Sequence, residues 1–214
     1  PEAKEKLIKK HHIPDEQIFV TGIPVHSAYH LQVPLKKDNR IRHILVAGGN
    51  SGLVNCDFID AMQKVPHIRF LILCGNNDEL YSSLQALDSK QIEPIGYIED
   101  PFELNQLYNK ADAILTKPGG VTISEALQKK LPILVHTSLP GQEEINLDYL
   151  LEKNLVLVIN DKHIAEQLNN EEAILSLRKH IDSYLAKVNC PLDYAMFMSI
   201  KSTGRKTPET VHSI

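Results

Sequence analysis

The chain has 214 residues, enough for one domain or one and a half, and its 43% hydrophobic content is ample for a buried core. A net charge of -4, from 23 basic and 27 acidic residues, supplies no global positive field, so nucleic acid is excluded as an expected partner. The three cysteines, Cys56, Cys74 and Cys190, are few, odd in number and far apart, which fits a reducing compartment and no zinc spacing, and no apolar run approaches the roughly 20 residues of a membrane-spanning helix.

Taken in order, Pro1 to His12 predict the end of a helix, closed by Ile13-Pro14. The chain opens there without an initiator methionine, in a charged helical stretch, and a fragment of a longer protein is expected. Gln17 to Thr21 predict a short strand and Gly22 to Val25 a turn. His26 to Arg40, irregular and interrupted by Pro34, predict a linker or rim. From His43 the pattern becomes regular. Apolar runs without clean alternation recur at Ile44 to Ala47, Phe70 to Leu73, Ala113 to Leu115, Pro132 to Val135 and Leu155 to Ile159. Amphipathic helical stretches separate them, at Cys56 to Lys64, Asp78 to Leu87, Pro101 to Lys110, Val121 to Lys129 and Glu143 to Lys153. Strands apolar on both faces, alternating with helices, predict a doubly wound α/β fold: a Rossmann-like parallel sheet with helices on both sides. A charged helix carrying Ile174, Leu177, Ile181 and Leu185 follows, and beyond Asn189-Cys190-Pro191 the periodicity is lost. The expected organisation is thus 1–40 as helix end and linker, 41–188 as the binding domain and 189–214 as an irregular or disordered tail.

In such a fold ligands bind beyond the carboxyl ends of the strands. Lys117-Pro118-Gly119-Gly120-Val121-Thr122-Ile123-Ser124-Glu125 is the central candidate: a strand ends in two glycines and a helix opens at once. A helix start points unpaired amides and the positive end of its dipole outward, which suits a phosphate. Thr122 and Ser124 supply hydroxyl donors, and Glu125, one turn in, suits a sugar diol such as ribose. The alternative is an ordinary strand–turn–helix corner with an incidental acid. Lys117 either neutralises phosphate charge or sits solvated at the strand end. Gly48-Gly49-Asn50-Ser51-Gly52 is a second phosphate cradle, with neither the spacing of a dinucleotide fingerprint nor the Gly-Lys-Ser/Thr ending of a P-loop, which disfavours a nicotinamide enzyme or an ATPase. In Pro140-Gly141-Gln142-Glu143-Glu144-Ile145-Asn146, the residues Gln142, Glu143 and Asn146 stand near one another at a helix start, either to read sugar hydroxyls or simply to cap the helix.

Taken together, the loops from Val20 to Ile159 resemble the two-domain GT-B glycosyltransferases, a group that includes diacylglycerol glucosyltransferases, plant galactolipid synthases and the N-acetylglucosaminyltransferase of peptidoglycan lipid synthesis. Val20 to Val25 resemble the inter-domain segment, Ala47 to Gly52 the glycine-rich loop, Thr116 to Leu127 the donor-nucleotide signature and Pro140 to Asn146 the sugar-reading helix start. Gly119-Gly120 and Gln142-Glu143 favour the glycolipid branch over the peptidoglycan branch. The resemblance implies that the backbone of Ile98 pairs with uracil and Glu125 binds ribose. It implies that Gly49, Ser51, Gly120, Val121 and Thr122 hold the diphosphate, and that Gln142, Glu143 and Asn146 bind the hexose. It further implies an inverting transfer of a hexose from a UDP-sugar to a lipid acceptor, with no cofactor or metal, in a cytoplasmic protein peripheral to the inner face of a membrane. The acceptor site and general base belong to an amino-terminal domain, so no catalytic residue is expected in this chain and no activity from it alone. Asn154 stands where the family commonly has glycine, at a helix end that tolerates asparagine. A peptidoglycan-type transferase, a UDP-sugar epimerase and a non-catalytic nucleotide-sugar-binding module remain the alternatives.

Overall fold

The computed structural model describes residues 2–18, 23–30, 40–48, 53–136 and 141–187. Within these, six parallel strands form one sheet: β1 (His43–Ala47), β2 (Arg69–Gly75), β3 (Ile92–Gly96), β4 (Ala113–Thr116), β5 (Ile133–Val135) and β6 (Val156–Val158), in the order β3-β2-β1-β4-β5-β6. The chain winds outward from β1 to β3, crosses back, and winds outward again from β4 to β6. The switch of direction therefore falls between β1 and β4, where Ile44 lies beside Ala113 and Ala47 beside Thr116. Eight helices accompany the sheet: α1 (Glu2–His11), α2 (Cys56–Gln63), α3 (Asp78–Ala86), α4 (Pro101–Lys110), α5 (Gly120–Gln128), α6 (Gln142–Glu152), α7 (Ile164–Asn169) and α8 (Glu171–Lys187).

Successive side chains of a strand point to opposite faces, and in β1 both faces are apolar. Ile44 and Val46 enter a core built with Phe58, Ala61 and Met62 of α2, Leu84 of α3 and Ile164 and Leu168 of α7. Leu45 and Ala47 enter the opposite core, with Tyr108 of α4, Ile123 and Ala126 of α5 and Leu150 of α6. Helix α8 serves both: Ile174 packs into the first core, Leu177 and Ile181 into the second. The expected doubly wound α/β fold is what forms.

Several local expectations change. Gln17 closes a short 3-10 turn (Asp15–Gln17) that follows Pro14, where a strand was expected; Phe19 to Thr21 lie outside the described residues, as does the tail from residue 188. Strand β3 was not anticipated because Glu93 and Pro94 interrupt its apolar run. As the edge strand it tolerates proline, since an edge residue need not donate to a further neighbour. Within the stretch expected to be irregular, Ser27–His30 form a 3-10 turn with Ala28 and Tyr29 buried. Asn154 does take a left-handed conformation (φ 55°), and the bond from Leu155 N to Leu150 O (2.9 Å) closes α6 in the usual helix-ending manner.

Candidate functional site

How each helix begins decides what the carboxyl edge of the sheet can bind. The first turn of α2 is closed by Asn55, whose side chain accepts from Phe58 N at 2.8 Å. Asn77 closes α3 through Leu80 N at 2.9 Å, and Asp100 closes α4 through Phe102 N at 2.9 Å. Helices α5 and α6 differ, because their caps are Gly119 and Gly141, which have no side chain to offer. In α5 the first amide bonded within the helix is that of Ile123, to Gly119 O at 3.1 Å. Among the described residues, nothing accepts from the amides of Gly120, Val121 and Thr122. These three donors sit at the positive end of the helix dipole, beside the β1/β4 switch point where doubly wound sheets take their ligands.

The glycines are placed for approach. A Cβ on Gly119 would meet nothing within 4 Å, while one on Gly120 would come within 2.7 Å of Ile23 Cδ1. One side of the turn is thus open and the other packed against the segment from 23 to 30. Gly141 has φ 102°, a conformation that side chains disfavour, and also faces open space. Gly48, directly after β1, has φ 124°, so the second glycine-rich loop begins with a turn that only glycine enters easily. Gly49 and Ser51 lie outside the described residues.

The other anticipated residues are placed as follows. Val121 stands exposed at the tip of α5, and Thr122 is half-buried behind it. Lys117 is only 7% exposed, which removes the reading of a solvated strand end. Ile98 is half-buried in the loop between β3 and α4, with no hydrogen bond on its backbone groups among the described residues, and Tyr97 before it and Phe102 in the first turn of α4 are both exposed. Glu143 is half-buried in the first turn of α6, where Gln142 is the first helical residue. Asn146 is not at the surface. It is 2% exposed, and its Nδ2 donates to Pro118 O at 2.9 Å. That contact brings the starts of α5 and α6 side by side.

Glu125 sits in surroundings that sequence reasoning missed. The Tyr108 hydroxyl donates to its Oε2 at 2.7 Å, Tyr29 also hydrogen-bonds to the carboxylate, and the two rings meet edge to face at 5.0 Å between centroids. Burial pushes the Glu125 carboxyl above the ordinary glutamate value, and the two tyrosines pull it partly back. Both phenols are raised in turn, chiefly by burial and then by the neighbouring carboxylate. A carboxylate has about four lone-pair sites, so two remain after the tyrosines bind. Tyr108 had a signal, since it falls on the apolar face of α4 with Leu104; Tyr29 had none, because the stretch that carries it has the composition of a linker. Also unanticipated is the pairing of His136 Nε2, just past β5, with Asp161 Oδ1 beyond β6, which ties those two strand ends together. Among the described residues no group of three or more His, Cys, Asp or Glu is placed to hold a metal ion.

A parallel sheet of this order, with helices on both faces and a switch point between β1 and β4, defines a Rossmann-like doubly wound α/β domain. The relatives name a family. The chain is 36% identical over 200 residues to the uncharacterized glycosyltransferase YkoN of Bacillus subtilis, covering 88% of this chain and 52% of that protein. It is 32% identical over 176 residues to the processive diacylglycerol beta-glucosyltransferase of Bacillus cereus, covering 76% of this chain and 44% of the relative. The chain therefore spans about half the length of the curated relatives it matches. Among solved structures, the lipopolysaccharide glycosyltransferase WaaG superposes with a TM-score of 0.59 at 14% identity, over 94% of this chain and 60% of WaaG. The S. aureus MnaA–UDP co-structure superposes with a TM-score of 0.51 at 18% identity, over 78% of this chain and 50% of that one. No protein-family model matches. The chain belongs to the GT-B glycosyltransferases and corresponds to the carboxyl-terminal half of that two-domain fold.

Proposed function

We propose that this chain is the donor-binding half of an inverting glycosyltransferase that moves a hexose from a UDP-sugar to a lipid acceptor of the diacylglycerol type. The observation that carries the reading is the pair of glycine-started helices, α5 and α6, lying side by side at the switch point with the α5 amides unengaged. In this reading those amides, of Gly120, Val121 and Thr122, hold the diphosphate, and Gly49 and Ser51 close on it from the loop after β1. Glu125 accepts from the ribose hydroxyls. The backbone of Ile98 pairs with the polar edge of uracil, and Gln142 and Glu143 read the hexose. The lipid acceptor is suggested by the diacylglycerol glucosyltransferase relatives, and UDP by the nucleotide named with MnaA.

The chemistry is a displacement at the anomeric carbon. An acceptor hydroxyl oxygen attacks opposite the diphosphate, the bond from carbon to the β-phosphate oxygen breaks, and its electron pair departs with UDP. The hydroxyl proton passes to a base in the amino-terminal half. Charge growing on the leaving phosphate is met by the α5 amides and dipole, which are already oriented before the reaction and so need no reorganisation; no metal is required. On its own the chain binds donor without transferring sugar. In the full-length cytoplasmic enzyme, contact with the membrane surface comes through the other half; among the described residues here no helix is long and apolar enough to cross a membrane.

Calorimetric titration tests the reading. UDP, UDP-glucose and UDP-galactose are expected to bind one shared site competitively, and ADP-glucose to bind poorly; absence of saturable UDP binding would overturn it. A substitution sharpens the test. Gly119→Asp supplies α5 with the cap that α2, α3 and α4 already have, so folding stability is expected to hold or rise by a few tenths of a kcal/mol, about the difference between glycine and aspartate caps. The same carboxylate occupies the amides and repels phosphate, so UDP affinity is expected to fall at least about tenfold, the scale of one charged hydrogen-bonding contact.

A further inference from the structure

We propose that Asn146 is a positioning residue for the diphosphate turn, latching α6 to the peptide that aims the α5 amides; the role rests on the donor-site reading above and changes what that reading asks of Asn146. A sugar reader presents its amide to the ligand. Asn146 is 2% exposed, its nitrogen is committed to Pro118 O at 2.9 Å, and its Oδ1 is buried with no partner among the described residues. A leucine on this face of α6, one turn before the buried Leu150, would avoid the orphaned oxygen. What leucine lacks is the donor that reaches Pro118.

The turn needs that donor. Its carbonyls are held in three ways: Lys117 O by Gly119 N at 2.7 Å, Gly119 O by Ile123 N at 3.1 Å, and Pro118 O by Asn146. The first two bonds are local and move with the turn. The bond from Asn146 comes from 28 residues away and ties the turn to a helix packed on the core. Pro118 fixes its own φ, and the bond from Gly119 N to Lys117 O holds one end of the peptide that follows; Gly119 carries no side chain to brace the turn, and a Cβ there would meet nothing within 4 Å, so the carbonyl end at Pro118 O depends on Asn146. Asn146 removes the freedom that the glycine introduces. The open side of Gly119 then serves ligand approach while the peptide itself stays fixed, and the sugar-side helix start is mechanically joined to the phosphate-side one.

The test compares Asn146→Ala and Asn146→Asp with the parent chain, using UDP and UDP-glucose. Loss of the latch is expected to weaken both ligands by the same factor, about fivefold for one lost hydrogen bond, with their affinity ratio unchanged. Asn146→Asp keeps the volume but carries no donor when ionised, so it is expected to match alanine at neutral pH. As pH falls its carboxyl protonates and can donate to Pro118 O, so its affinity relative to the parent at the same pH is expected to recover, a response that general loosening of the fold would not give. Weakening of UDP-glucose alone would show a sugar reader and overturn the proposal, as would unchanged binding of both. Amide hydrogen exchange at Gly119 and Ile123, whose amides are bonded to Lys117 O and Gly119 O, reads the latch without ligand and is expected to quicken in both variants at neutral pH. A parent chain that binds no UDP would sink the donor-site reading, while the exchange comparison still decides the latch; unchanged exchange would overturn it.

Discussion

Replacing Glu125 with alanine is expected to weaken UDP binding by about 1.5–3 kcal/mol, roughly ten- to a hundredfold, the range for hydrogen bonds to a charged group. The effect should shrink for 2′-deoxy-UDP, which keeps only the 3′-hydroxyl, if the lost partner is ribose, so the parent should discriminate between the two nucleotides more strongly than the alanine variant does. Glu125→Gln separates binding from folding. Burial raises the carboxyl above the ordinary glutamate value of 4.5, so the protonated form is the better tolerated one in the folded chain. The stability this group contributes is complete below that value and is lost as pH rises through the raised folded value. Glutamine is neutral throughout and still accepts from Tyr108. Its melting temperature should therefore match the parent in acid and exceed it at neutral pH, by about 2–4 °C for each kcal/mol regained in a domain of this size. Paired melts and titrations across pH check both halves; a glutamine variant that is less stable than the parent at neutral pH would contradict the account of this carboxylate. A charge held in a costly place by two tyrosines is the arrangement expected where binding, and not folding, sets the residue.

The second large effect lies at the opposite end of the sheet. Asp112 is 3% exposed and its Oδ2 accepts from the amides of Arg42 (2.9 Å) and His43 (2.8 Å), while its own amide donates to His43 O at 2.8 Å. These bonds fasten the start of β1 to the start of β4, the two strands between which the fold reverses direction. Asp112→Ala leaves two amides without an acceptor, at about 1–3 kcal/mol each, and a total near 3 kcal/mol should lower the melting temperature by roughly 6–12 °C. The variant Asp112→Asn retains a side-chain oxygen that can accept from the same amides and should recover most of the loss. In the protein that remains folded, UDP affinity should be unchanged, since the bonds lie a full strand length from the α5 amides. Scanning calorimetry of the two variants measures the first effect and a titration below the transition measures the second.

Most of the sheet was legible because buried parallel strands have little choice of sequence. Ile44 to Ala47 and Ala113 to Leu115 are apolar on both faces, and no other element reads that way at that length. The helix starts were legible too: the amphipathic stretches expected from Cys56, Asp78 and Pro101 begin at those residues in α2, α3 and α4. What failed did so for physical reasons. Pro94 hid β3, because proline argues against a strand until the strand is known to be an edge. Tyr29 was hidden because a four-residue turn has no periodicity, although its ring is buried. Spacing alone groups Asn146 with Gln142 and Glu143, yet four residues later stands Leu150, which marks that side of the helix as the core face; spacing gives neighbours, and only the apolar partner says which way they point. The ion pair of Arg40 with Glu171 (3.2 Å) joins residues 131 apart and could not be read from the sequence.

In the proposed reading, the unengaged amides of α5 face a uridine diphosphate at the switch point of the sheet. Titrating UDP into the isotopically labelled chain and following backbone amide resonances tests it most directly. Saturable shifts should concentrate at Ile98, Gly120, Val121, Thr122 and the first turn of α6, with matching midpoints. A UDP response centred on Arg40, Arg42 and His67, at the other edge of the sheet, or no saturable response at all, would contradict it.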